Sequence, residues 1–193
     1  MKILYGVIGF LSILFFGYSH PPLETINDLD IDRYMGNWHQ IAAIPAAFQK
    51  KCVSDVQAEY RRLSDTHIEV VNSCVQANGE TKYAFGRARV NCDFNIASRL
   101  QVTFVKFISW WLWAFGGDYW VIELGDHYEY SVVGEQSREY LWILSREPEM
   151  DQETLIELGQ KIFDHGYDTC KIYITAGEFS GVQLCTLMNN DHQ

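Results

Sequence analysis

The chain has 193 residues and carries 15 Lys and Arg against 25 Asp and Glu, a net charge of −10. So acidic a protein repels phosphate backbones, which excludes nucleic acid as a partner and disfavours anionic surfaces unless apolar contact compensates. Aromatics at 15% without any Lys/Arg cluster suit a single β-domain with an apolar interior.

The first residues read as an export signal. Lys2 gives a short positive end, residues 3–16 are almost wholly apolar, and Gly17-Tyr18-Ser19 sets small residues at the −3 and −1 positions of a cut after Ser19. The apolar run of about 14 residues falls short of the roughly 20 that cross a bilayer, although an uncleaved anchor stays open. No cysteine lies beside it, so a lipid-modified cysteine has nowhere to form. Residues 1–19 are therefore expected to leave, and 20–193 to form one secreted or periplasmic domain with 14 basic against 25 acidic side chains, net −11.

Five cysteines follow the signal: Cys52, Cys74, Cys92, Cys170 and Cys185. An oxidising compartment makes disulfides the expectation, with one thiol left over. None forms a C-x-x-C pair, so the spacing for zinc is missing. Cys52 precedes the second predicted strand and Cys74 ends the third, which makes Cys52–Cys74 the first choice of bridge. A plain hairpin register misses it by several residues. Cys92 and Cys170 remain unassigned.

Short β-like runs with turns between them recur along the chain, at 38–44, 53–63, 68–75, 82–90, 100–107, 119–124, 128–133 and 140–146. Asn78-Gly79 is the strongest hairpin signal and suggests a type I′ turn. Connections this short force antiparallel neighbours. One segment differs: Asp151 is placed to cap a helix, Leu155, Leu158, Ile162 and Phe163 repeat at helical spacing, and His165-Gly166 stops it. Residues 171–175 make a short ninth strand. The reading is an all-β protein, an eight-stranded antiparallel up-and-down barrel with one amphipathic C-terminal helix on its outside.

Alternation assigns the faces. Val56, Ala58 and Tyr60 share one side of their strand; Leu100, Val102 and Phe104 share another; Tyr128 and Tyr130 share a third. Ala42, Ile44, Val70, Trp120, Ile122 and Trp142 complete the expected apolar lining. Eight strands so patterned enclose room for one small ligand.

Two motifs then resemble a known family. Gly36-Asn37-Trp38, preceded by Arg33-Tyr34-Met35, is similar to the G-x-W opening of the lipocalins. Tyr140-Leu-Trp-Ile-Leu-Ser-Arg146-Glu-Pro148 resembles the last-strand motif of the bacterial lipocalin and apolipoprotein D branch. The middle motif departs from the commoner T-D-Y form, with Gly125-Asp126-His127-Tyr128 in its place. The resemblance covers roughly residues 27–176. It implies that Gly36, Trp38 and Arg146 are structural, with Trp38 plugging the closed end and Arg146 lying across its indole. It also implies a different partner for Cys52, namely Cys185 in the C-terminal tail.

The function expected is carriage of a small hydrophobic or amphipathic molecule, such as a fatty acid or lysophospholipid. Arg87, Lys106 and Asn72 are candidates to meet its head group. The run 110–115, with Trp110, Trp111, Trp113 and Phe115, reads as an apolar lip that guides the ligand, rests on a membrane or joins a second copy. Catalysis is not expected, nor are a metal and a cofactor. His39, His67, His127 and His165 fall in separate elements, and no nucleophile motif or phosphate loop occurs. An enzyme using the same cavity would need an inward titratable group, for which Tyr60, Tyr128 and Tyr130 are the candidates.

Overall fold

The computed structural model describes residues 21–90 and 97–190; the expected signal segment and Cys92 lie outside them. The strands are β1 (Gly36–Ala43), β2 (Cys52–Arg62), β3 (His67–Gln76), β4 (Thr81–Val90), β5 (Arg99–Thr103), β6 (Lys106–Phe107), β7 (Trp110–Trp111), β8 (Gly117–Leu124), β9 (Tyr130–Gly134), β10 (Leu141–Ser145) and β11 (Tyr173–Ile174). The helices are α1 (Ile31–Tyr34), α2 (Gln152–Asp164) and α3 (Leu184–Asn190). Eight strands pair antiparallel in the order β1-β2-β3-β4-β5-β8-β9-β10, and β10 pairs back to β1. That closure makes the expected barrel, and β11 adds a short flank to β1.

Local chemistry differs from the sequence reading in three places. The strand expected at 100–107 stops at Thr103, because 106–107 folds back on 110–111 as a separate hairpin. The seventh strand begins at Tyr130, since Tyr128 turns at φ 64°. The Asn78-Gly79 hairpin is present, but only Gly79 has positive φ, at 80°, so it is not the type I′ turn.

Two apolar clusters sit on opposite faces of the sheet. One fills the barrel with Trp38, Ala58, Tyr60, Val70, Leu100 and Val133. The other lies outside, where α2 and α3 cover Ile41, Ile122, Val132 and Ile143. Asp151 caps α2 by accepting from the Thr154 N–H, and Leu155, Leu158 and Ile162 are buried. Phe163 is 60% exposed, contrary to expectation, because it sits on the shoulder of that stripe.

This double burial decides which residues can face a ligand. A register shift between Gln40 and Ala42 flips the parity of β1. Ala42 consequently joins the outer cluster, whereas Ala43 pairs with the inward Trp142. Ile44, beyond the strand, also packs on the outer cluster. In β8, Tyr119 and Val121 point inward while Trp120 and Ile122 go under the helices. In β9, Ser131 and Val133 face in and Tyr130 packs outside. Ala42, Ile44, Trp120, Ile122 and Tyr130 are thus on the wrong side of the wall to line the barrel.

The base is closed by one side chain. The Arg146 guanidinium lies 3.7 Å from the Trp38 ring centroid and donates to the carbonyls of Asn37 at 2.7 Å, Arg33 at 2.8 Å and Met35 at 2.9 Å. Gly36, at φ +95°, lets the backbone pass beneath it. Trp38 is fully buried and donates its indole N–H to the Tyr34 carbonyl at 2.9 Å. Arg146→Ala should cost about 2–4 kcal/mol in urea denaturation, from the lost cation–π contact and three abandoned carbonyls. Arg146→Lys should recover only part, since one ammonium cannot span that fork.

Candidate functional site

The barrel is sealed at the base and accessible at the other end. Tyr34, Met35, Tyr60, Ile68, Ala88, Leu100, Val102 and Tyr119 surround a void of about 10 Å³, room for one water molecule. The tyrosine hydroxyls turn to one another: Tyr34 Oη is 2.9 Å from Tyr119 Oη and 2.9 Å from Ser131 Oγ, and Tyr60 Oη is 3.0 Å from Tyr119 Oη. The floor is consequently full, and its hydroxyls are linked to one another.

Higher up the situation changes. Val56, Asn72, Ala84 and Trp142 are only half-buried. Asn72 pairs directly with Ala58 and Ala84, so its side chain shares their inward face. In a closed wall an inward side chain reaches solvent only through the lumen. The upper barrel is therefore open. Phe104 lies against the inner face of Gly86, its ring 2.8 Å from where a Cβ would stand, and is 44% exposed at the mouth. Across from it Phe48, Tyr140 and Trp142 form an aromatic rim with ring centroids 6.0–6.5 Å apart.

Ala58, Tyr60, Val70, Leu100, Val102 and Trp142 are all in or against the inner cluster, and Val56 is half-buried one step above Ala58. Tyr128 is at the closed end instead, accepting from the Asp30 N–H at 2.9 Å beneath the Arg33 guanidinium. Trp110 and Trp113 do not line the barrel. Residues 111–115 fold onto the outer wall, where Gln101 and Thr103 bind the carbonyls of Trp113 and Leu112. There Arg89 stacks over Trp113 at 4.3 Å, and Arg87 and Lys106 flank Trp111. Arg87 is thus outside as well, paired with Glu69 at 2.9 Å, and cannot meet a head group in the lumen. Of the three proposed polar contacts only Asn72 faces inward. Sequence reasoning missed Tyr34, Tyr119 and Ser131.

Comparison with known proteins places this geometry. Residues 29–177 match the Lipocalin-like domain family. The chain belongs to that family. Temperature-induced lipocalin-1 of Arabidopsis thaliana is 35% identical over 79% of this chain and 82% of its own. The outer membrane lipoprotein Blc of Vibrio cholerae is 30% identical over 78% and 84%, and bovine apolipoprotein D 27% over 81% and 80%. Among solved structures, insecticyanin from the tobacco hornworm superposes with a TM-score of 0.63 at 23% identity, covering 84% of this chain and 88% of its own. Lipocalins bind small hydrophobic ligands, and the lumen described above is where this lipocalin has space.

Among the described residues two disulfides stiffen the mouth and the tail. Cys52 bonds to Cys74, with Cα atoms 5.5 Å apart. Continued without interruption, the pairing of Ala58 with Asn72 would set Cys52 opposite Asn78; two bulges set it opposite Gln76, nearer Cys74. Cys185 bonds to Cys170, not to Cys52, and ties α3 beside β11. Both bonds fit an oxidising compartment. Among the described residues no group of His, Cys, Asp or Glu is gathered to hold a metal.

Burial pushes the Tyr34 hydroxyl up to about 12 and raises Tyr60 and Tyr119 as well, with the hydrogen bonds to Ser131 and Tyr119 opposing it at Tyr34. In the unfolded chain these tyrosines ionise near 10. Stability is then complete below about pH 10 and declines as pH rises through the folded values, because the unfolded state sheds protons that the folded state keeps. Urea unfolding followed between pH 9 and 12 should show that decline, made shallower by Tyr34→Phe. A flat profile would contradict the sealed floor.

Proposed function

We propose that this lipocalin is an exported carrier that holds one small hydrophobic or amphipathic molecule in the upper half of its barrel and performs no chemistry on it. One observation carries the reading: apolar side chains that face into the lumen, Val56, Ala84 and Trp142, keep contact with solvent through a single open end. Each buried methylene is worth roughly 0.8 kcal/mol, so a chain of about ten carbons offers up to ~8 kcal/mol before ordering costs. Walls of this kind reach useful affinity without charge. The tyrosines on the floor bond one another and resist ionisation, which suits a wall better than an acid or base. A fatty acid, lysophospholipid or similar amphiphile fits, in keeping with the names of the lipoprotein and apolipoprotein relatives.

Native mass spectrometry of protein purified without detergent, together with uptake of a fluorescent fatty acid, tests this. Ala84→Trp should fill the lumen and weaken uptake at least tenfold while thermal stability changes little. Equal uptake by both proteins would place the ligand elsewhere.

A second reading concerns the β6–β7 hairpin. Phe107, Ile108 and Trp110 at its tip are 64%, 82% and 75% exposed, and Ile108 holds φ 56°, a strained value for a β-branched residue. Lys106 stands beside them. Tryptophan at an apolar tip with a flanking lysine suits the interface of a bilayer, where the ring is buried and the polar atoms stay wet. Replacing Ile108 and Trp110 with Ser should abolish sedimentation with liposomes and leave fatty-acid uptake intact; loss of both together would tie the hairpin to the lumen.

A further inference from the structure

The helical layer covers the side of the barrel formed by β1, β8, β9 and β10. On the other side most outward residues of β2 and β3 and of the upper half of β4 keep contact with solvent. The middle of that wet face is nonetheless aromatic. Tyr83 and Phe85 alternate with the inward Ala84 and Gly86, so both point outward. They are 58% and 63% exposed, with ring centroids 6.5 Å apart and planes within 22° of parallel. Val71 stands directly beside Phe85, turned outward, and belongs to neither apolar cluster. Contiguous apolar groups on a surface mark a contact site.

Charge selects the occupant. Residues 112–193, which supply β8–β10 and the helices over them, hold 15 acidic against 4 basic side chains; residues 52–111 hold 6 against 7. Two molecules so charged repel one another through their helical sides and meet most readily through the nearly neutral flank. Across the strands that flank reads Gln57–Ser73–Tyr83, then Glu59–Val71–Phe85, then Arg61–Glu69–Arg87. The rows match themselves. A two-fold axis lying in the contact plane along the middle row sets Phe85 and Val71 on their own copies. It also sets Tyr83 under the partner's Arg87 and Ser73 beside the partner's Glu69, allowing for the ~30° at which facing sheets cross. Glu59 meets its copy at the edge, where Arg61 of the same chain neutralises it at 3.0 Å. We propose that the outer face of β2–β4 is an isologous interface between two copies of this chain, with an aromatic centre and a polar rim. It uses neither the lumen nor the helical layer, and it stands whether or not a guest is carried.

Sedimentation velocity of the full protein across the micromolar range, without detergent, tests this. Wild type should pass from monomer to dimer. Replacing Tyr83 and Phe85 together with Ser should raise the dissociation constant about tenfold or more, with fatty-acid uptake and the melting temperature unchanged, since both rings are exposed in the monomer. The axis is read separately. Phe85→Cys in a Cys92→Ser chain should oxidise to a covalent dimer, because the two copies of that position meet, whereas Phe163→Cys on α2 should not. A wild type that stays monomeric, a double variant that still dimerises, or crosslinking at Phe163 as fast as at Phe85 overturns the proposal. Should Tyr83 and Phe85 instead be needed for sedimentation with liposomes by a monomeric wild type, the flank is a lipid surface and the dimer falls.

Discussion

The rest of the structure depends on the Arg146 side chain lying across Trp38. A barrel of eight strands has two ends, and a ligand cup requires that one be closed without charge or water entering the core. Arg146 achieves this by spreading its guanidinium over the indole while three main-chain carbonyls, those of Arg33, Met35 and Asn37, accept its hydrogen bonds. The contact joins the last barrel strand to α1 and to the start of β1. It fixes Trp38, which fixes Tyr34 through the indole N–H and ring contact at 4.9 Å. Tyr34 in turn orders Tyr119 and Ser131. The floor of the lumen is thus laid from the base upward.

From there the two ends diverge in chemistry. At the base each polar atom near the axis has a partner within the protein, and large rings leave almost no space. Toward the mouth the inward residues shrink to Ala43 and Ala84, and Phe48, Tyr140 and Trp142 stand at the rim. The helical layer outside follows from the same division. Strands β1, β8, β9 and β10 bury both faces, one in the barrel and one beneath α2 and α3, so their stability does not depend on an occupied lumen. A protein that must fold before it meets its guest gains from that separation.

How much was legible in the sequence follows this same line. In β2, β3 and β4 the outer face is wet, so apolar and polar residues alternate and Ala58, Tyr60 and Val70 could be placed correctly. In the doubly covered strands the runs Ile41-Ala42-Ala43 and Trp120-Val121-Ile122 are apolar throughout, and nothing in them marks which face is inside. Bulges at Gln40/Ala42 and Val121/Glu123 then shift parity again. The Cys52–Cys74 bond was reachable from strand order but seemed out of register for the same reason. The tryptophan run was read as a lip; of the three, Trp110 stays exposed, while Arg87 and Arg89, outward on β4, hold Trp111 and Trp113 against the wall. Those pairings join residues more than twenty positions apart, beyond any local pattern.

The tyrosine floor sets the chemistry of the lower lumen. Had the hydroxyls of Tyr34, Tyr60 and Tyr119 faced the lumen, any polar guest would find several interchangeable partners, and none would be decisive. Bonded to one another and to Ser131, they present ring carbon and offer a guest no choice. A hydrogen bond counts most where no alternative partner or water competes for it. The closed network of hydroxyls therefore leaves apolar contact as the chemistry of the lower lumen.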